Sequence, residues 1–277
     1  HFYFVKMYSE KKMTIHNDTE ASLPSVSIVV TTFNRVSLLS ETIDSILGQT
    51  YTDFELIIVD NMSKDGTSEY VEAIADPRVR YFRNPNNGVI AVNRNYGLNQ
   101  VRGKYIAFCD DDDLWLSDKL KLQVEVLEKN ASVALCYTNA ESFMGDKTIS
   151  LRMISRVVCN NHFLQLLRGN FIPNSSVLIR RDALLRLGCL TEDSRLREDY
   201  EMCLRLAYGY QLAGIDVSLI RYRIHPGNVT GNHTSETLRA IRTVKSVIAL
   251  LKVPYYLAVP NIAFQYMKYL AYKIIGR

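Results

Sequence analysis

An α/β fold, with a mainly parallel sheet flanked by helices and a helical appendage at its C-terminal end, is what this sequence predicts from three observations. Short, fully apolar β-branched runs alternate with stretches of helical periodicity. Polar clusters follow these runs directly, and the basic charge gathers near the C-terminal end. Fully apolar runs mark strands buried on both faces, as in parallel sheets covered by helices, where ligands sit beyond the carboxyl ends of the strands. The chain of 277 residues, 47% apolar and 22% charged, suffices for one large domain or one domain with an appendage.

The elements follow in order. Val26-Ser27-Ile28-Val29-Val30 reads as a strand, and Leu39, Ile43, Ile46 and Leu47 recur at helical spacing behind it. The alternation then repeats: strand from Phe54 to Val59, helix from Ser68 to Ala75, strand from Val79 to Phe82, helix from Asn93 to Val101, strand from Tyr105 to Cys109. Beyond Asp118 a long helix reaches about Asn130, followed by strands at Val133 to Tyr137 and Ser175 to Ile179. Asp182 to Leu187 is helical, Arg197 to Tyr208 is a helix with Tyr200, Cys203, Leu204 and Ala207 on one side, and Val217 to Ile224 is a closing strand. The Asn-, Thr- and Gly-rich stretch from Asn228 to Glu236 marks a boundary. The expected organisation is therefore an N-terminal extension (1–24), a main domain (25–230) and a basic amphipathic helical tail (231–277).

Charge and cysteine usage narrow the function classes. There are 33 Lys and Arg against 29 Asp and Glu, a formal +4 that argues neither for nor against nucleic acid. From Glu236 to Arg277 seven basic residues face one acid, so that stretch carries +6 and the rest of the chain −2. The five cysteines, Cys109, Cys136, Cys159, Cys189 and Cys203, form no CxxC pair and lie in or beside apolar runs. They read as reduced, buried thiols of a cytoplasmic protein. The first 24 residues lack the apolar core of a signal peptide, so secretion is not expected. Val247 to Ala271, the most apolar stretch, is broken by Lys252, Pro254, Pro260 and Lys268, which disfavours a spanning helix. Its interleaved apolar and basic residues suit either peripheral contact with the inner face of a membrane or packing back on the body.

Three strand ends carry polar clusters: Thr31-Thr32-Phe33-Asn34-Arg35, Asp60-Asn61-Met62-Ser63 and Asp110-Asp111-Asp112-Asp113. Thr31 or Asp60 taken singly reads as a helix cap or turn residue; three clusters on one sheet edge read as a site. Carboxylates ~5 Å apart repel by about 3 kcal/mol at an effective dielectric of 20, so the four acids call for a cationic partner. Mg²⁺ or Mn²⁺ suits such hard ligands and bridges to substrate phosphates, which makes a metal-diphosphate site the natural expectation. Trp115, directly after the acids, is left open between packing under the loop and touching substrate.

The succession SVSIVVTTFNR, FELIIVDNMSKDGT and NNGVIAVNRNYGLNQVRGKYIAFCDDDDLWLSDKL resembles the inverting family 2 glycosyltransferases of the GT-A fold, a Rossmann-like architecture, over roughly residues 24–230. The resemblance puts the family's Asp-x-Asp motif on Asp110-Asp111-Asp112, with Asp112 as metal ligand and Asp110 near the donor ribose. It places Thr31, Asn34 and Arg35 against the nucleotide, Asp60 on the base and Arg94 near the donor. NSSVLIRRDALLRLG and LREDYEMCLRLA resemble the family's acceptor half, where the Asp of an opening Glu-Asp pair, here Glu198-Asp199, is the catalytic base. By itself an acid in a first helical turn simply suits the helix dipole. RYRIHPGNVT matches a family ending in which the His, here His225, reaches the metal, and an imidazole among carboxylates leans toward Mn²⁺ over Mg²⁺. A lone His before Pro otherwise reads as a turn residue.

The resemblance implies metal-dependent, inverting transfer of a sugar from a nucleoside-diphosphate sugar, UDP being the first choice, to a hydroxyl of a glycan or lipid-linked acceptor in polysaccharide or glycoconjugate synthesis. Two rivals stand beside it. One is an aspartyl phosphatase using Asp110 and Asp112, whose class expects Thr or Val where this chain has Leu114. The other is a non-catalytic peripheral membrane or nucleic-acid-binding protein; no aromatic-basic motif supports nucleic acid, and none is expected as a partner.

Overall fold

The computed structural model describes residues 23–151, 154, 161–225, 227 and 233–275. Most of the N-terminal extension (1–22), Cys159 and residues 228–232 of the boundary stretch lie outside them. The apolar runs form β1 (Val26–Thr32), β2 (Phe54–Asp60), β3 (Val79–Arg83) and β4 (Tyr105–Asp110), which pair in parallel in the order β3-β2-β1-β4. Parallel neighbours need crossovers. These are α1 (Val36–Leu47), α2 (Thr67–Glu72) and α3 (Ile90–Leu98).

Because successive side chains point to opposite faces, each all-apolar strand feeds two cores. Ile28, Val30, Leu56, Ile58 and Ala107 meet Leu39, Ile43 and Ile46 of α1 on one face. Val29, Ile57, Val59, Ile106 and Phe108 meet Ala91 and Leu98 of α3 on the other. At about 1.5–3 kcal/mol per buried aliphatic side chain, this double burial is what holds the strands in register. Helix α3 lies so close that a Cβ on Gly97 would stand 2.6 Å from Cγ1 of Val29, so only glycine permits the approach.

Beyond β4 come β5 (Leu114–Trp115), α4 (Lys119–Lys129), β6 (Val133–Met144), β7 (Lys147–Ser150), α5 (His162–Arg168), β8 (Leu178–Arg180), α6 (Arg181–Leu187), α7 (Glu198–Gly209) and β9 (Gln211–Arg223). The main path of the sheet continues from β4 through β8, β6 and β9 to β5, with β7 paired to β6 as a hairpin. Several expectations need correction. Ser175 and Ser176 sit in a 3-10 turn (Asn174–Ser176), because Ser175 turns its hydroxyl to the acid loop and Ser176 bonds back to the Pro173 carbonyl. β6 runs past Tyr137 to Met144 because β9 pairs along its length, with register shifts at Asn139. β5, β7 and α5 were not anticipated, the first being too short to show a period.

Two further helices, α8 (His233–Leu251) and α9 (Tyr255–Ile275), complete the described chain. Ala240, Val244, Val247 and Leu251 are buried and share one core with Met202, Cys203 and Leu206 of α7. No helix among the described residues is long and apolar enough to cross a membrane.

Trp115 packs under the acid loop, 3% exposed, with the Lys119 ammonium 3.7 Å from its ring centroid. Lys119 is fully buried and donates to Oε1 of Gln123 (2.8 Å), and burial pushes its pKa down to about 7. Between pH 7 and about 10 the unfolded chain, with a lysine of ordinary pKa, binds more protons than the folded one, so stability rises with pH in that window. Urea unfolding at pH 7.5 and 9 should show the parent gaining stability relative to Lys119→Met, by at most about 1.4 kcal/mol per pH unit. Parallel profiles would show that Lys119 stays charged in the fold.

Candidate active site

The sheet register builds one wall of the site. Thr32 stands beside Asp60 and Thr31 beside Asp110, so the three polar strand ends form one row at the carboxyl edge. Within this row the residues divide into two groups. Asp60 is fully buried; it accepts from the Ser63 N–H (2.9 Å) and the Tyr81 hydroxyl (2.6 Å), with Nε of Arg83 at 3.6 Å. Asn34, in the left-handed region at φ 51°, donates its N–H to Oγ of Ser63 (2.8 Å) and accepts from the Lys64 N–H (2.8 Å). Asp60 and Asn34 thus brace the β1 and β2 loops against each other and stand outside the lining of the cleft described below.

The acid run is clasped by cations of the chain itself. Nη2 of Arg94 lies 2.6 Å from Oδ1 of Asp110, which also accepts from Nδ2 of Asn174 (2.9 Å). Nη1 of Arg35 donates to Oδ1 of Asp111 and Oδ2 of Asp112, both at 3.0 Å. Burial nonetheless pushes Asp111 up to about 6, against the opposing charge of Arg35. Asp113 turns inward to accept from the Ser175 hydroxyl (2.6 Å) and the Arg223 N–H (3.1 Å), and burial raises its pKa well above the carboxylate range. Asp110 and Asp112, the pair the phosphatase reading would use, are thus engaged by Arg94, Asn174 and Arg35.

β5 and β9 bring the far end of the domain to this loop. Leu114 pairs with Arg221 and Trp115 with Ile220, so β9 leaves the sheet beside the acids and delivers His225, whose Nε2 is 3.0 Å from Oδ2 of Asp112. Among the described residues no group of three or more His, Cys, Asp and Glu side chains converges as a metal site. The fit is nevertheless good for an ion that completes its shell with substrate oxygens. Asp112 and His225 offer a carboxylate oxygen and an imidazole nitrogen side by side, donor types that Mn²⁺ accepts, and their 3.0 Å contact in this structure is a hydrogen bond. Nδ1 of His225 accepts from the Gly227 N–H (3.1 Å), so ligation through Nε2 requires the ring proton to move to Nδ1 and Gly227 to let go.

The opposite wall is the start of α7. Arg94, 6% exposed, reaches from α3 to join Asp110 to Glu198. Burial opposes its charge, but Asp110, Glu198 and Asp199 together raise its pKa above the ordinary value. Asp199 accepts from Nδ2 of Asn170 (3.3 Å) and lies 3.5 Å from Nη2 of Arg197. The backbone before it is held by α8: Oγ1 of Thr243 accepts from the Arg197 N–H (2.9 Å), and Arg239 donates to the Leu196 carbonyl (2.8 Å). Sequence reasoning missed Asn170, Asn174, Glu236 and Arg239. For Glu236 and Arg239 the signal available was a polar face on α8 opposite its apolar one.

Between the walls lies a cleft of about 840 Å³. Thr31, Arg35, Arg94, Asp110, Asp111, Asp112 and Tyr222 line one side and Asn170, Asp199, Glu236 and Arg239 the other. Of the sequence-derived set, the cleft gathers Thr31, Arg35, Arg94, Asp110, Asp111, Asp112 and Asp199, His225 stands behind Asp112, and Asn34 and Asp60 brace the loops.

A mixed, mostly parallel sheet opening its strand ends and an acid run into one cleft is the GT-A fold. Residues 27–187 match Glycosyl transferase family 2, and the chain belongs to that family. An uncharacterized glycosyltransferase of Rickettsia felis is 32% identical over 206 residues, 74% of this chain and 34% of that protein. The chain therefore spans about a third of the length of that relative. The Escherichia coli UDP-Glc:alpha-D-GlcNAc-diphosphoundecaprenol beta-1,3-glucosyltransferase WfaP is 28% identical, over 80% of this chain and 86% of its own. Among solved structures, Staphylococcus aureus TarS 1-349 in complex with UDP-GlcNAc superposes with a TM-score of 0.68 at 17% identity, covering 89% of this chain and 71% of that one. The mannosyltransferase PcManGT from Pyrobaculum calidifontis, in complex with GDP-Man and Mn²⁺, gives 0.64 at 20% identity over 95% and 80%.

Proposed function

We propose that this chain is an inverting, metal-dependent glycosyltransferase moving a sugar from a nucleoside-diphosphate donor, UDP in first place, to a hydroxyl of a lipid-linked or glycan acceptor, with peripheral membrane contact through its C-terminal helices. The observation that carries this reading is the cleft itself: an acid run on one wall, Asp199 on the other, and Arg94 bridging Asp110 to Glu198 across its floor. The naming of WfaP for a UDP-Glc donor and a diphosphoundecaprenol acceptor supports the substrate class.

In this reading Asp199 takes the acceptor proton as that oxygen attacks the anomeric carbon from the side opposite the diphosphate, the C–O bond to the diphosphate breaks, and configuration inverts. Asn170 and Arg197 fix the carboxylate for that role and Arg94 holds Asp110 toward the donor. Mn²⁺ or Mg²⁺, held by Asp112 and His225, would supply positive charge to the departing diphosphate. Thermal unfolding with UDP, GDP, dTDP or CDP, each with and without Mn²⁺, tests donor and metal together. UDP with Mn²⁺ should raise the melting temperature most, a ligand at 100 times its Kd adding about 2.7 kcal/mol. No shift with any diphosphate would refute the donor assignment.

A further inference from the structure

Helix α9 packs inward through a mixed face, where Leu257 and Ile262 meet the core beside buried polar side chains. Its inward face buries Asn261 and Gln265, the latter 3% exposed, while Tyr256, Met267, Leu270 and Ile274 face outward, Met267 at 62% and Ile274 at 84% exposure. At 3.6 residues per turn, Tyr256, Val259, Ala263, Met267, Leu270 and Ile274 fall on one stripe along the helix. The orientation is fixed by specific bonds. Gln265 donates to the Leu167 carbonyl (2.8 Å), Asn261 accepts from Nε of Arg168 (3.1 Å), and Gln265 also contacts the Tyr200 hydroxyl beside Asp199. Turning the helix over to hide the stripe would strand these buried polar groups, each worth about 1–3 kcal/mol.

We infer that this stripe is a docking surface for an anionic lipid bilayer, with α9 lying in the interface plane. Charge selects the occupant. Helix α9 has no acidic residue, exposed Lys273 borders the stripe near its end, and exposed Lys252 lies just ahead of the helix. The stripe of a second copy would offer these lysines no acidic partner, whereas anionic headgroups attract them while the acyl boundary takes the apolar side chains. The helix on which α9 packs leads into the acceptor wall: α5 runs through Gly169, beside which Nζ of Lys268 stands, to Asn170 and its bond to Asp199. Docking through the stripe thus sets against the lipid surface the helix that braces the acceptor wall. The inference rests on the lipid-linked acceptor reading for its purpose, not for its geometry.

The test is co-sedimentation of the full chain with phosphatidylcholine vesicles, with and without phosphatidylglycerol, alongside UDP and Mn²⁺ thermal shift on the same samples. The parent should bind the anionic vesicles and release at high salt. Lys252→Gln with Lys273→Gln should weaken binding roughly fivefold per lysine. Met267→Glu, Leu270→Glu and Ile274→Glu combined should weaken it by at least about tenfold, with the UDP shift unchanged because the replaced side chains lie outside the cleft. A parent that does not bind anionic vesicles at low salt overturns the inference whatever the variants do, as does a triple variant that binds like the parent. A missing UDP shift with vesicle binding intact would instead refute the transferase reading alone.

Discussion

Replacing Asp199 by Asn is expected to lower turnover by roughly 10²–10⁴-fold, the usual effect of losing a general base, with donor affinity nearly unchanged. The change is close to isosteric. Its oxygen can still accept from Asn170 (3.3 Å), so the start of α7 keeps its place. What disappears is the charge able to take the acceptor proton. Its neighbour Glu198 provides the contrast, since that carboxylate pairs with Arg94 and through it with Asp110. Glu198→Gln should loosen Arg94 and weaken donor binding first. Equilibrium UDP binding and single-turnover transfer, measured on both variants, separate the roles: retained transfer in Asp199→Asn rules out the base, and loss of binding as well as transfer makes Asp199 a structural helix start.

The second large effect is expected at Asp112, where one carboxylate faces Arg35 and His225 and is the proposed ligand of the ion. Asp112→Asn should weaken Mn²⁺ and UDP binding together, by at least the 10–100-fold that losing even an outer partner of a metal site typically costs. Arg35 keeps its bond to Asp111, which makes collapse of the loop an unsatisfactory explanation for the loss. Calorimetric titration of UDP with and without Mn²⁺ checks this, and a variant whose metal-dependent UDP affinity equals the parent's would remove Asp112 from the metal site.

Much of the fold was legible because its strands are apolar on both faces. A run such as Phe54 to Val59 has no stable place except between two helical layers, and the helices over it announce themselves by spacing, as Leu39, Ile43 and Ile46 do. The acid run was legible for a related reason: four carboxylates after a buried strand are too costly without partners. The sequence did not name those partners. Arg35 and Arg94 are separated from the acids by 76 and 16 positions respectively, and only the pairing of β1 with β4 and the packing of α3 bring them near.

The short elements were hidden for a different reason. β5 contains two residues and exists because β9 passes beside it, and α5 is a single short helix fixed by Phe163, Leu166 and Leu167 in a core drawn from distant segments. Asp60 illustrates the same limit within the site. Its place at a strand end was readable, but whether it faces the cleft or braces a loop depended on Ser63 and Tyr81.

The sequence by itself determined the layered α/β plan, the edge where chemistry gathers, and a basic, apolar C-terminal stretch, since these depend on local periodicity and on the cost of placing charge near apolar strands. Tertiary structure alone decided which acids reach the cleft, which cations neutralise them, that α8 supports the Arg197 backbone, and that α9 turns its apolar stripe outward. Those outcomes depend on hydrogen bonds and ion pairs between residues far apart in sequence, and such pairs carry no periodic signal along the chain.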